Sequence, residues 1–354
     1  MSLGNKRQEI EDHVLKIFSS KNTSDLLALD FEINLLVCSA QSYKHESVLK
    51  PFPSTFLSDS TNTKNYDQLL NALLSLPPVL EWENKIKKFN DDQIAVVNWI
   101  LKHKNFFISQ CNSLNKEKLK EAAKYSNDFS SPSHIFEVKY SEEKNRKFDL
   151  LKQNTIDELK LNGSCTSICF HGTRMDNLYP ILHMGLLSHL NKNSLFGEGT
   201  YLSQEPSMSL HYSPSCKTWS NSLIGHRMSC LLVCETINHP QHVKIGVNEN
   251  AKVEEKSGKA KNIPEKYLIV KNNEYVRVRY VLLYAEKSKT IKRNNRIVKF
   301  INENKFLLLL VSYSILLVFI GLLNSRTFNK YIKLSYKRFY NYLLGDAATS
   351  PSYE

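Results

Sequence analysis

Phe170-His171-Gly172-Thr173-Arg174 closes an apolar run that begins at Ile168, and further on the chain reads Phe196-Gly197-Glu198-Gly199-Thr200-Tyr201-Leu202. The run into His171 is strand-like, and a glycine directly after a histidine at a strand end lets a ligand approach the backbone closely. A third phrase, Ser207-Met208-Ser209-Leu210-His211-Tyr212, sets Tyr212 eleven residues after Tyr201 with Ser209 between them. Taken singly, each phrase is weak, because a histidine beside a strand is ordinarily a satisfied core residue and tyrosines ordinarily pack. Their joint occurrence in this order points to a ligand site.

Strand character extends on both sides of these phrases. Phe136, Val138 and Tyr140 alternate with polar residues from His134 onward, and Cys230 to Glu235, Leu268 to Val270 and Tyr280 to Tyr284 are strand-like runs. Residues 126–288 therefore read as a β-rich domain. Within it, Lys244 to Asn262 is polar and poor in aromatics, which predicts a long exposed loop with strands resuming at Tyr267. Upstream the pattern turns helical. Ser24-Asp25 offers an N-cap for Leu26 to Val37, and Tyr66 to Leu76 and Asn90 to Leu101 follow in the same style, the last with Ile94, Val97 and Leu101 on one face. Pro51, Pro53, Pro77 and Pro78 break the intervals, so residues 1–125 read as a small helical domain in which Trp82 and Trp99 are core residues.

The 354 residues, 42% of them apolar, suffice for two modest domains. The net charge of +12 is concentrated around Lys116 to Lys124 and from Lys287 to Lys305, and it resumes beyond Arg326. Neither cluster looks like a base-stacking groove, and the aromatics that interleave with cations beyond Arg326, at Phe328, Tyr331, Tyr336 and Phe339, suit a membrane-interface belt better, so no specific nucleic acid is expected. Seven cysteines, an odd number without tight framework spacing, are expected to be reduced thiols. Cys165/Cys169 and Cys230/Cys234 have the spacing of one strand face rather than of a zinc site, and no metal is expected. The opening Met1-Ser2-Leu3-Gly4-Asn5-Lys6-Arg7 lacks the apolar core of a secretory signal.

Phe306 to Leu323 is an 18-residue run without a formal charge, apolar all round, which predicts a single transmembrane helix. Residues 289–305 then form a basic juxtamembrane linker, and residues 324–354 a short lumenal tail. Seven Lys and Arg between 286 and 305 against five between 324 and 343 place the N-terminal side in the cytosol. So short a tail implies post-translational insertion as a tail anchor.

The motif phrases, in this order and spacing, resemble the poly(ADP-ribose) polymerase family of diphtheria-toxin-type ADP-ribosyltransferases over about residues 134–285. Two further phrases, Leu190-Asn191-Lys192-Asn193-Ser194-Leu195-Phe196 and Ser42-Tyr43-Lys44-His45-Glu46-Ser47-Val48-Leu49-Lys50-Pro51, are similar to the family's tail-anchored endoplasmic-reticulum branch. The resemblance implies NAD as co-substrate. His171 would bond a ribose hydroxyl, Gly172 and Ser209 would hold the nicotinamide carboxamide, Tyr201 and Tyr212 would sandwich the nicotinamide ring, and Thr173 would lie near the adenosine ribose. At the third motif position polymer-forming members carry a glutamate, and the counterpart here is Tyr267, so transfer should stop at a single ADP-ribose. Glu265, two residues earlier, would reach the same strand face only if the strand extended to it, and Pro264 argues for a loop. The resemblance implies an α+β protein, with a helical N-terminal domain, a mixed or antiparallel β-rich ADP-ribosyltransferase domain, and a transmembrane anchor. It also implies protein substrates, the enzyme itself included, location in the endoplasmic reticulum membrane and the continuous nuclear envelope, and a link to stress signalling there. A catalytically weak NAD-sensing scaffold remains the alternative reading.

Overall fold

The computed structural model describes residues 3–19, 22–58, 62–111, 131–188, 196–247, 259–260, 263–286 and 304–344. The basic stretches Lys116 to Lys124 and Lys287 to Lys299, the phrase Leu190 to Leu195 and the tail beyond Leu344 lie outside the described residues. Two compact units are present, Met1–Ser288 and Lys289–Glu354.

The first unit opens with helices α1 (Leu3–Ser19), α2 (Thr23–Ala40), α3 (His45–Val48), α4 (Tyr66–Ser75), α5 (Trp82–Lys85) and α6 (Asp91–Lys102). Their ends follow local chemistry. Asn22 rather than Ser24 caps α2, its side chain accepting from the Ser24 amide, and Asn90 and Gln93 form a reciprocal capping box at α6. Both tryptophans pack: Trp82 is fully buried and donates to the Pro77 carbonyl, while Trp99 donates to the Tyr179 hydroxyl.

Among the described residues ten strands make one sheet: β1 (Phe106–Gln110), β2 (His134–Tyr140), β3 (Thr166–Thr173), β4 (Thr200–Ser203), β5 (Cys216–Lys217), β6 (Arg227–Ile237), β7 (Val243–Gly246), β8 (Lys259–Ala260), β9 (Tyr267–Val270) and β10 (Val276–Ala285). Their order is β1-β2-β10-β6-β3-β4-β9-β7-β8, with β5 on the end of β6, and every pairing but β7 with β8 is antiparallel. Helices α7 (Glu142–Leu159), α8 (Leu178–Met184) and α9 (Pro206–Leu210) are inserted between strands. The expected α+β class holds for this unit.

Two sequence expectations need correcting. The segment 1–125, read as helical, contains β1, which pairs with β2 from Phe106↔Tyr140 to Gln110↔Phe136. The segment Lys244 to Asn262, read as loop, gives its first residues to β7 and residues 259–260 to β8, because Val243 and Ile245 pair with Val270 and Leu268 of β9.

Helix α2 explains why the helical and β-rich parts share one core. From Ala28 onward all its residues are buried, polar ones included, and a helix apolar on every side has to be covered on every side. Phe31 stacks on Phe136 of β2 at 4.6 Å. Its polar residues are consumed by the loop between β5 and β6. Asp30 accepts from the Ser222 hydroxyl at 2.6 Å and the Leu223 amide at 2.9 Å, and Asn34 accepts from the Trp219 amide at 3.0 Å. Glu32 is paired with Lys104 at 2.6 Å. A contiguous buried cluster runs from Ile10 to Leu283, and a smaller one, with Phe170, Leu231, Val233 and Leu282, forms a second cluster in the sheet.

The second unit holds α10 (Lys305–Asn324) and α11 (Arg326–Leu344). At 1.5 Å per residue the 20-residue α10 is about 30 Å long. Among the described residues no helix is long and apolar enough to cross a membrane. The side chains at 305–308, 319, 322 and 323 of α10 lie outside that description.

Candidate active site

The site forms where two neighbouring strands part. β3 and β4 share a single register pair, Phe170↔Ser203. On its other edge β4 stays paired with β9, from Thr200↔Val270 to Ser203↔Tyr267, and β3 stays paired with β6 through Thr173↔Cys230. Past Phe170, then, His171, Gly172 and Thr173 are not covered by β4, and a gap opens inside a continuous sheet. Phe170, Ser203 and Tyr267 are successive register partners across three strands, which puts the first and third motif positions at the same level of the sheet.

Across this gap the His171 Nδ1 lies 2.9 Å from the Tyr201 carbonyl oxygen. A carbonyl only accepts, so Nδ1 carries the proton and Nε2 is left as the other ring nitrogen. Burial holds the His171 pKa below its ordinary value, and the Tyr201 carbonyl only partly offsets that effect, so the ring is neutral at pH 7. Tyr201 is itself fixed by the glycine turn before it. Its hydroxyl donates to the Gly197 carbonyl at 2.6 Å and accepts from the Phe196 amide at 2.9 Å. Gly197 has φ +100°, a conformation that side chains resist. Phe196 and Gly197 thus position Tyr201 through backbone groups, a role not visible from their side chains.

Helix α9 closes the other side. Ser209 is buried and donates its hydroxyl to the Phe170 carbonyl at 2.9 Å. Gly172 is required here, but for a reason different from the one expected. A Cβ at that position would lie 1.7 Å from the Ser209 carbonyl oxygen, so the close approach is made by the backbone of α9. Thr173 is buried and turned inward: its amide donates to Ser213 Oγ at 3.1 Å and its hydroxyl accepts from Asn177 Nδ2 at 2.9 Å. Neither Ser213 nor Asn177 was legible as part of the site, since both act through contacts that the fold brings together.

Tyr212 ends this segment with an exposed ring, beside Tyr267 at the head of β9. Burial first, and then the neighbouring Tyr212, raise the Tyr267 pKa above that of a free phenol, so Tyr267 is neutral at pH 7. Glu265 sits in the turn before β9, exposed, outside the strand whose face it would have to share. Glu205 is paired with Lys266. Position 267 thus carries a phenol on a formed strand.

The segment after the first motif is tied to the helical part. Asp176 accepts from the Ser42 hydroxyl at 2.7 Å and from Arg174 at 3.2 Å, its carbonyl accepts from Ser39, and Lys44 donates to Asn177 at 2.8 Å. The cysteines are all free thiols. Cys169 and Cys234 face each other in register across β3 and β6, and burial pushes both thiols up. Buried neutral thiols in a sheet are packing residues.

A split sheet, a neutral histidine on one lip, a clamped tyrosine on the other and a phenol pair beyond define an ADP-ribosyltransferase of the NAD-dependent kind. The chain belongs to the poly(ADP-ribose) polymerase family. Residues 114–286 match the family's catalytic domain, described as "Poly(ADP-ribose) polymerase catalytic domain", and residues 21–101 match "ARTD15 N-terminal domain". Two curated relatives, from mouse and human, each bear the name "Protein mono-ADP-ribosyltransferase PARP16". Both are 32% identical over 314 residues, which covers 87% of this chain and 94% of theirs.

Proposed function

We propose that this protein transfers single ADP-ribose units from NAD to proteins, itself included, at the cytosolic face of the endoplasmic reticulum membrane. The observation that carries the reading is the neutral His171 held against the Tyr201 carbonyl at the gap between β3 and β4. Nicotinamide leaves a cationic pyridinium as a neutral molecule, and a site of uncharged donors and aromatic faces suits both forms without trapping either. In this reading His171 presents Nε2 to a ribose hydroxyl. The outward backbone of Gly172 and the remaining lone pairs of Ser209 meet the carboxamide, and Tyr201 and Tyr212 flank the ring. Thr173 holds the strand end in place from inside rather than touching the adenosine ribose. Positive charge then develops on the ribose as the glycosidic bond opens, and the acceptor attacks the anomeric carbon. Tyr267, a neutral phenol beside Tyr212, cannot polarise an incoming ADP-ribose hydroxyl as a carboxylate would, which supports termination after one unit.

The membrane part of the proposal rests on the uncharged run Phe306 to Leu323 and on the excess of Lys and Arg on its N-terminal side. Residence in the endoplasmic reticulum and a role in stress signalling there are supported by the resemblance alone. The division proposed is one folded body over 1–288, in which 1–125 and 126–288 share a core, followed by 289–305, 306–323 and 324–354.

Labelled NAD tests the reaction. The full chain should incorporate label into itself as a sharp band without a ladder, and Tyr201→Ala should reduce incorporation at least 100-fold. Label that persists in Tyr201→Ala, or a ladder in the unsubstituted protein, rejects the reading.

A further inference from the structure

Helix α11 is unlike the helices before it. It begins at Arg326, one residue after α10 ends at Asn324, and it is amphipathic over 19 residues. At 100° per residue, Phe328, Ile332 and Tyr336 fall along one stripe with Tyr331 at its margin, while Lys330, Lys333 and Lys337 fall along the opposite one. The apolar and aromatic side chains are open: Tyr331 is 71% exposed, Ile332 44% and Tyr336 69%. No Asp or Glu occurs from Lys305 to Leu344, whereas α11 contains five Lys and Arg.

We infer that α11 lies flat in the headgroup layer of an anionic bilayer, with the Phe328–Ile332–Tyr336 stripe sunk toward the acyl chains and Lys330, Lys333 and Lys337 among lipid phosphates. The inference rests on the proposed span of Phe306 to Leu323 and goes beyond it. Three observations converge. If α10 crosses the bilayer, a single intervening residue leaves α11 at headgroup depth from its first turn, because one residue covers under 4 Å. A stripe of open aromatic and aliphatic side chains at i, i+4 and i+8 has no gain in water but gains about 25 cal/mol per Å² when it leaves it. Tyrosine is suited to that depth, since its ring is apolar and its hydroxyl is not. Finally, a cationic stripe without acidic residues matches a surface of phosphatidylserine-type charge. Nucleic acid would use the cations and leave the aliphatic part of the opposite stripe unpartnered, so the lipid surface is the occupant that satisfies both faces.

The consequence for the protein is a footing on the membrane surface in addition to the span, sensitive to lipid charge and therefore to the composition of the leaflet that α11 meets.

The test uses the full chain reconstituted into vesicles of phosphatidylcholine, with or without phosphatidylserine, in which some lipids carry brominated acyl chains that quench nearby indoles. Three single variants are compared with the unsubstituted protein: Val318→Trp within α10, Ile332→Trp on the apolar stripe and Lys330→Trp on the cationic one. Expected is strong quenching of Val318→Trp, several-fold stronger quenching of Ile332→Trp than of Lys330→Trp, and an increase for Ile332→Trp when phosphatidylserine is added that high salt removes. Quenching at Val318→Trp with none at Ile332→Trp overturns this inference and leaves the span standing. Equal quenching of Ile332→Trp and Lys330→Trp, or no response to phosphatidylserine, also overturns it. Absence of quenching at Val318→Trp rejects the span itself.

Discussion

A proton on His171 would convert a neutral polar lip into a cationic one facing a cationic pyridinium. Because burial sets the His171 pKa below its ordinary value, protonation needs a lower pH than for a free imidazole. The rate of NAD labelling should be flat above the usual histidine range and fall only on its acid side, as a pH-rate profile at saturating NAD would register. A profile centred at or above the ordinary value would mean that the ring is solvated and not held by the Tyr201 carbonyl. Gly172 offers a sharper test. Gly172→Ala drives a methyl into the Ser209 carbonyl, and the overpacking should cost about 1–3 kcal/mol with loss of activity, seen as a lowered urea midpoint and failure to label. The motifs in the sequence put forward His171, Gly172, Tyr201, Ser209, Tyr212 and Tyr267 as candidates, and the fold sets His171 against Tyr201 and Gly172 against Ser209. The sequence could not give the reason for Gly172, because the group that approaches it comes from α9, whose docking is a product of the finished fold. For the same reason it placed Thr173 toward the ligand, when the hydroxyl is turned to Asn177.

Among the elements, α2 carries a buried carboxyl with a pH signature. Burial pushes the Asp30 carboxyl up to about 6, against hydrogen bonds from Ser222, Leu223, Ile224 and Asn34 that favour the ionised form. A folded pKa raised above the unfolded one means that the folded state holds its proton to higher pH. The associated stability is complete below the unfolded value near 4 and is lost as pH rises through about 6, a change on the order of 3 kcal/mol. Urea midpoints between pH 4 and 7 should fall for the unsubstituted protein relative to Asp30→Asn, which has no proton to lose. Parallel curves would show that Asp30 does not titrate in this window. Helices such as α4 and α6 were legible because their apolar residues recur on one face and Asn90 announces a cap. Others were not, the two longest among them α1 and α7. α1 carries few apolar residues, and α7 buries only Phe148 and Thr155, so periodicity had little to register. Strands β7 and β8 escaped for a related reason: Val243 and Ile245 are isolated in a polar stretch, and pairing with β9 rather than composition makes them strands.

At the scale of the molecule, the helical and β-rich parts are one compact body up to Ser288. Phe31 on Phe136, Asp30 on Ser222 and Ser42 on Asp176 cross the line that sequence drew between domains near residue 125. A fragment of residues 126–288 would lose β1 and α2 together and expose the apolar face of the sheet. It should run as aggregate in size exclusion and fail to label with NAD, whereas residues 1–288 should be monodisperse and active. Soluble activity from the shorter fragment would show that the helical part is an accessory. The order of the strands adds something about how the chain must be made. β10 is the last strand of this unit to leave the ribosome, yet it lies between β2 and β6 in the middle of the sheet. Until it arrives, no strand joins β1 and β2 to the rest of the sheet and the long β6 presents a bare edge, the kind of surface that recruits other chains. Any polypeptide ended upstream of Val276, by a premature stop or a protease, is thus not a shortened enzyme but a sticky remnant, and chaperone cover during synthesis must last until the final strand is threaded home.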